Sequence, residues 1–214
     1  MILHASPLSS YSAKVRIVLC VKRVAFEERA PEGGYRSETY RAMVPMGTLP
    51  ALQEGDWVLS ESEAINEYLE ERYPEPAMLP QDLRERARVR FLCRFHDLYL
   101  EPVVRALFPH VRPERRDAAR VQALQQEIGQ RIAQLDGWVQ PAPFLVQPTI
   151  SLADCGPLVT LPLAVAVLAA CGHTLVLPPR LQAWLAHAQT HPDVRRALDP
   201  WQAATTAWLR AAEP

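Results

Sequence analysis

Apolar positions repeat along this chain with two periods, and the change between them falls near residue 80. Before it, short apolar runs closed by turn residues alternate with helical stripes; after it only helical stripes follow. Ile2 and Leu3 form a run that Ala5-Ser6-Pro7 ends, as a strand exit does. Next, Val15, Val18, Leu19 and Val21 recur at helical spacing, which predicts a helix with one buried face and Lys14, Arg16 and Lys22 off it. Ala25 to Arg29 reads as a second strand, broken by Glu32-Gly33-Gly34, and Ser37 to Met43 as a helix that must stop before Pro45. Leu49 to Leu52 and Trp57 to Leu59, around Glu54-Gly55-Asp56, read as strand, turn and strand. Ile65, Tyr68, Leu69 and Tyr73 mark one face of a helix for which Ser60 is the expected N-cap, with Glu63 closing a capping box and Glu61 and Ser62 in the first turn.

Tyr73 to Pro80 is dense in proline and reads as a link. Beyond it, Leu83 to about Phe108 is a long amphipathic stretch with an interruption expected near Glu101-Pro102, and Glu114 to Val139 is another. Ser151-Leu152-Ala153-Asp154 has the shape of a capping box with Asp in the place of Glu, opening the most apolar helix. Its run from Leu158 to Ala170 is too short to span a bilayer and contains Pro162, so it is expected to be buried in protein. Further helices start at Pro178-Pro179 and His191-Pro192, with a tail after Pro200 carrying Trp201 and Trp208. The expected division is an α/β unit over 1–78 and an all-helical unit over 84–214.

Composition adds mainly exclusions. Lys plus Arg number 23 against 24 Asp plus Glu, so no overall charge field favours a nucleic-acid or membrane partner. No stretch at the N-terminus has the order of a signal peptide, which makes the cytoplasm the expected compartment. Cys20, Cys93, Cys155 and Cys171 stand far apart without metal-ligand spacing and are expected reduced and buried; no metal site is expected. His187 and His191 lie one helical turn apart with no carboxylate or cysteine partner and read as surface residues. The alternating Arg84, Arg86, Arg88, Arg90 and Arg94 read as a solvated or interfacial helix face.

Candidate chemistry gathers at the first helix start, where Ser9, Ser10, Tyr11 and Ser12 crowd one turn. A helix N-terminus holds unpaired N–H groups and partial positive charge, so it stabilises an anion such as a thiolate; a serine there also serves as a simple N-cap. Pro50 removes a ladder donor, and a cis bond before it would leave the Leu49 backbone free to pair with an extended peptide. Glu61 and Ser62, a carboxylate beside a hydroxyl at a helix start, suit the ammonium and carboxylate of an amino acid.

Together these features resemble the glutathione transferase superfamily over essentially the full length. Ser9-Ser10-Tyr11-Ser12 with Val15-Arg16-Ile17 is similar to a segment of zeta-class and related bacterial transferases, of which the zeta-class isomerases carry Cys where Tyr11 stands. Pro45 to Pro50 is similar to the family's turn before a cis proline, Glu61-Ser62 to its Glu/Gln-Ser pair, and Leu79-Pro80-Gln81-Asp82 and Ser151 to Asp154 to two further signatures. The resemblance implies a thioredoxin-like N-terminal domain with an all-α C-terminal domain, and a dimer. The implied activity is that of a glutathione S-transferase, with glutathione as co-substrate and a small hydrophobic electrophile. Ser9 would donate to the glutathione sulfur, with Ser10 and Tyr11 as alternative catalytic hydroxyls. Leu49 and cis-Pro50 would hold the cysteinyl unit, Glu61 and Ser62 the γ-glutamyl end, and Arg36 the glycine carboxylate, while residues near Tyr99 to Arg105 and the last helix would shape the electrophile site. Two alternatives stay open: a zeta-like maleylacetoacetate isomerase, and a non-catalytic regulator similar to stringent starvation protein A, which binds RNA polymerase.

Overall fold

A computed structural model describes residues 1–212. Four strands, β1 (Ile2–His4), β2 (Glu27–Arg29), β3 (Ala51–Glu54) and β4 (Trp57–Ser60), form one sheet in the order β2-β1-β3-β4. β1 and β2 run parallel, while β3 pairs antiparallel with β1 and with β4. β3 places Leu52 opposite Leu3 and Leu59, on the face covered by helices α1 (Ser10–Val21) and α3 (Ser62–Arg72). Its neighbour Ala51 faces the other way and packs with Tyr40 and Val44 at helix α2 (Glu38–Met43), as the alternation of a strand requires. The exposed edge strand β2 reads Glu-Glu-Arg, a composition that discourages pairing with another chain.

The remaining helices are α4 (Leu83–Phe95), α5 (Glu101–Arg105), α6 (Ala118–Trp138), α7 (Leu152–Ala170), α8 (Pro179–Ala188) and α9 (Pro192–Arg210). The interruption expected near Glu101-Pro102 lies earlier, as a π-helical segment at His96–Leu100 between α4 and α5. The helix expected from Glu114 begins at Ala118, because Asp117 caps it by accepting from Arg120 N at 2.9 Å. Pro200 starts no separate tail and lies inside α9. At 19 residues with a mean hydropathy of 1.9, α7 is long enough to span a bilayer; its burial, not its length, marks it as a core helix. His187 is exposed and His191 half-buried, and the two flank the Phe144 ring at 5.3 and 6.4 Å between centroids.

α1 departs furthest from the sequence pattern. Lys14, Arg16 and Lys22 are all buried, because the sheet and α3 cover one side of the helix and α7 and α9 the other. Each cation has found partners, as buried charges must. Lys14 Nζ lies 2.9 Å from Asp97 and 2.5 Å from Glu63; Arg16 forks onto Glu28 and reaches the Ala197 carbonyl; Lys22 donates to the Tyr73 and Pro76 carbonyls and meets Glu70. Burial alone would pull the Lys14 ammonium down, but the Glu63 and Asp97 carboxylates hold it above the ordinary lysine range. The proline-rich link is pinned as well: Met78 N and Leu79 N donate to Glu70, and Leu152 N donates to the Met78 carbonyl.

At the start of α7 the capping box forms as the sequence leads one to expect. Asp154, fully buried, accepts from Ser151 N, Ser151 Oγ, Leu145 N and Trp184 Nε1 at 2.6–2.9 Å. Burial pushes its carboxyl above the usual range, and those four donors pull the other way. Nearby on α7, Gly156 leaves room for His96, whose ring would lie 2.6 Å from any Cβ there. His96 bridges Asp97 at 2.8 Å and Thr160 at 2.7 Å, fixing the π segment against α7.

Candidate functional site

A cavity of about 920 Å³ opens between the α1 and α3 N-termini on one side and the α4–α5 segment on the other. Ser9, Tyr11, Leu49, Glu61 and Ser62 all line it. Ser9 is the N-cap of α1: its extended backbone turns Oγ to accept from Ser12 N at 3.2 Å. That bond uses a lone pair, so the hydroxyl proton stays available to a ligand in the cavity. N-cap and ligand donor are therefore compatible roles for one side chain.

Tyr11 points its hydroxyl at the Asp97 carbonyl, 3.3 Å away, with the Arg105 guanidinium over its ring. Burial and the nearby Glu101 carboxylate push the phenol well above its ordinary value, so it is a neutral donor at physiological pH. Ser10 does not line the cavity. One residue on from Ser9, the helix turns it inward, where Oγ donates to Glu101 at 2.7 Å and accepts from Arg105 at 3.0 Å.

The Leu49–Pro50 peptide is cis, and Pro50 is buried. The preceding loop is held by Tyr40 Oη, which donates to the Thr48 carbonyl at 2.9 Å, and by Gly47, at φ 57°, where a Cβ would meet the Tyr35 carbonyl at 2.9 Å. Across the cavity the capping box expected around Ser60 does not form. Ser60 ends β4, α3 begins at Ser62, and the N-cap is Glu61, with φ 72° and no side-chain cap bond. Glu63 is not available to a box because it faces Lys14. A left-handed Glu is strained, and such strain concentrates at ligand sites.

The helical wall consists of Arg94, Asp97, Leu98, Arg105 and Phe108, so part of the region expected to shape it does so. Tyr99 instead stacks on Phe95 at 6.0 Å, and no residue of α9 lines the cavity. Arg36 is on the sheet side with Arg41, which the sequence pattern did not single out. Nor did it mark Arg94 or Asp97 as site residues; the interruption it placed near Glu101-Pro102 lies instead at the segment that carries Asp97. Burial would raise the Asp97 carboxyl, but its bond to His96 and the Lys14 ammonium hold it below the usual range. The four cysteines are free and buried, and burial raises the Cys93 and Cys155 thiols well above the ordinary range. Among the described residues no group of three or more His, Cys, Asp or Glu side chains is arranged to hold a metal.

A family model described as the glutathione S-transferase N-terminal domain matches residues 3–77. Among curated proteins, a stringent starvation protein A homolog of Pasteurella multocida is 33% identical over 156 residues, 72% of this chain and 70% of that protein. A homolog of the same name from Coxiella burnetii is 42% identical over 43% of this chain and 44% of its own length, and glutathione S-transferase Z1 of Arabidopsis thaliana is 43% identical over 37% of each. The chain thus spans less than half the length of these last two. Among solved structures, the holo form of maleyl pyruvate isomerase, a bacterial zeta-class protein, aligns over 100% of this chain and 99% of its own with a TM-score of 0.74 and 29% identity. Human glutathione-S-transferase T1-1 aligns over 99% and 90% with a TM-score of 0.80 and 28% identity.

Proposed function

The chain belongs to the glutathione S-transferase superfamily, and from that premise we propose that it is a cytoplasmic, homodimeric glutathione transferase whose residues 1–78 bind glutathione and whose residues 84–214 receive an electrophile. The observation that carries the reading is the convergence of Ser9, Leu49, Glu61 and Ser62, far apart in sequence, on one cavity. Glu61 offers a carboxylate to the γ-glutamyl ammonium, and Ser62 with the first turn of α3 offers donors to the adjacent carboxylate. Leu49 lies outside the ladder and pairs its backbone with the cysteinyl unit. Arg36 or Arg41 meets the glycine carboxylate. An aromatic row on α4 and α6, with Phe91 and Phe95 each 4.9 Å from the Trp138 ring and Phe91 and Trp138 exposed, supports a second copy as partner.

The thiolate, not the thiol, attacks carbon electrophiles, and an ordinary cysteinyl thiol titrates near about 8.5. Ser9 Oγ–H donates to the sulfur and stabilises the anion without losing its own proton, and the α1 N-terminus adds its partial charge. Tyr11 is kept protonated but gives its proton to the Asp97 carbonyl at 3.3 Å, so it is the second donor within the same turn only once that bond is released. Ser10 acts from behind, orienting Glu101 and Arg105. The test is calorimetric titration with reduced glutathione, followed by the thiolate absorbance of the bound tripeptide against pH. Binding with a thiol pKa below that of free glutathione supports the reading.

A second reading is favoured by the Pasteurella relative, the curated match with the widest coverage quoted above: a non-catalytic regulator on the same fold. Failure to bind glutathione at millimolar concentration decides for the regulator.

A further inference from the structure

The π segment at His96–Leu100 leaves one carbonyl of the helical wall without a backbone donor. Each π-type bond reaches one residue further back than an α-helical one, so the Glu101 N–H donates to the His96 carbonyl instead of that of Asp97. In the π register the Asp97 carbonyl would be served by residue 102, which is proline and has no N–H. Both positions that could pair it along the helix are thus lost, and Tyr11 Oη fills the gap from α1 at 3.3 Å. Neighbouring bonds hold the carbonyl in place: His96 is tied to Thr160 on α7, and the Asp97 carboxylate to Lys14.

Tyr11 has one proton to give and two acceptors for it. One is the Asp97 carbonyl; the other, on the glutathione reading, is the sulfur held at the start of α1. The present bond is long for O–H···O and correspondingly weak, and a thiolate is the stronger acceptor of the two. Leaving the carbonyl would nonetheless strand a half-buried acceptor that no backbone N–H can take over, and that cost counts against ionisation of the thiol. Ser9 meets no such conflict, because its bond to Ser12 N uses a lone pair and not the proton. Pro102, which does not line the cavity, therefore bears on which hydroxyl serves the sulfur.

We infer that Pro102 is a positioning residue: by withholding an N–H from the Asp97 carbonyl it keeps the Tyr11 hydroxyl there and leaves the sulfur to Ser9; the inference rests on the glutathione reading. Pro102→Ala supplies the missing donor, and because position 102 is exposed and lies in the first turn of α5 the variant should fold. Two readouts then separate the bond from the chemistry. In urea denaturation without glutathione, Tyr11→Phe should lower the folding constant about fivefold in the wild-type background, where it orphans the carbonyl, and about twofold or less in Pro102→Ala. In the thiolate absorbance of bound glutathione, Pro102→Ala should lower the thiol pKa by about half a unit to one unit through the released phenol. Adding Tyr11→Phe should return it to the wild-type value, and Tyr11→Phe alone should move it little. Equal stability costs of Tyr11→Phe in the two backgrounds overturn the inference. So does a thiol pKa unmoved by Pro102→Ala, or one that Tyr11→Phe raises as much in wild type as in Pro102→Ala; the glutathione reading survives all three results. If glutathione binds none of these proteins, the glutathione reading fails and the inference with it, whatever the denaturation curves give.

Discussion

Two helices in this molecule are capped by the same residue type and end up with opposite jobs. At the start of α7, Ser151 and Asp154 close on each other and Leu145 and Trp184 complete the carboxylate's shell, all out of reach of solvent. At the start of α1, Ser9 uses one lone pair on Ser12 N and leaves its proton facing a cavity. The saturated end is a fastener, whereas the unsaturated end is a binding site. What separates them is whether the chain itself supplies every partner, and only a third residue from elsewhere in the sequence, Trp184 in one case, decides that.

The comparison breaks most visibly at the saturated end. Asp154→Ala removes an acceptor shared by four buried donors, and the expected loss is about 3–5 kcal/mol of stability, read by urea denaturation. Asp154→Asn, which keeps the shape and one oxygen, should recover part of it. If Asp154→Ala costs less than Ser9→Ala, the distinction between the two helix starts is wrong.

Lys14→Met tests the polar clamp beneath the open end. It leaves Glu63 and Asp97 without their shared cation, at a cost of about 3 kcal/mol. The same clamp sets a pH dependence. Asp97 has a folded-state pKa below its unfolded value, so its contribution is present above the unfolded carboxylate value of about 4 and is lost as pH falls through the lower folded value. Wild-type stability should therefore drop below about pH 4, and Lys14→Met should flatten that part of the profile.

Ser9→Ala should have the smallest effect on folding, about 0.5–1 kcal/mol for a lost N-cap. Its effect belongs to chemistry instead: the pKa of bound glutathione should rise by about one unit, the lower end for a charge-assisted bond at a half-open site that Tyr11 or water partly replaces. A pKa that moves in Tyr11→Phe and not in Ser9→Ala would transfer the role to the phenol.

Much of this architecture was legible in the residues. The strand runs, the proline before β3 and the Ser151 box are local patterns, and local patterns survive folding. The cationic side of α1 was not, because a helical stripe reports the face turned to one neighbour and says nothing of a second layer that covers the rest. Ser9 and Ser10 could not be told apart either. Adjacent residues differ by about 100° around a helix, and the phase that sends one to the cavity and the other to Glu101 is set by the packing of α1 against α3, α7 and α9. Arg94 was hidden among four other arginines on the same helix; its difference from them lies in what stands opposite.

The burial of α1 on all sides also bears on how such a chain can be cut and rejoined by recombination. Its cations reach Glu28, Glu63 and Glu70 within the first eighty residues, but also Asp97 and the Ala197 carbonyl beyond them, and Arg196 reaches back to the Cys20 carbonyl. A crossover at the proline-rich link would pair an α1 from one parent with the α4 and α9 of another. Parents that differ at positions 14 and 97 would yield an offspring in which Lys14 keeps Glu63 and Asp97 keeps His96, but the buried pair across the link is lost. Inheritance in this fold therefore travels in matched pairs across the link, and the first helix is the part least open to exchange.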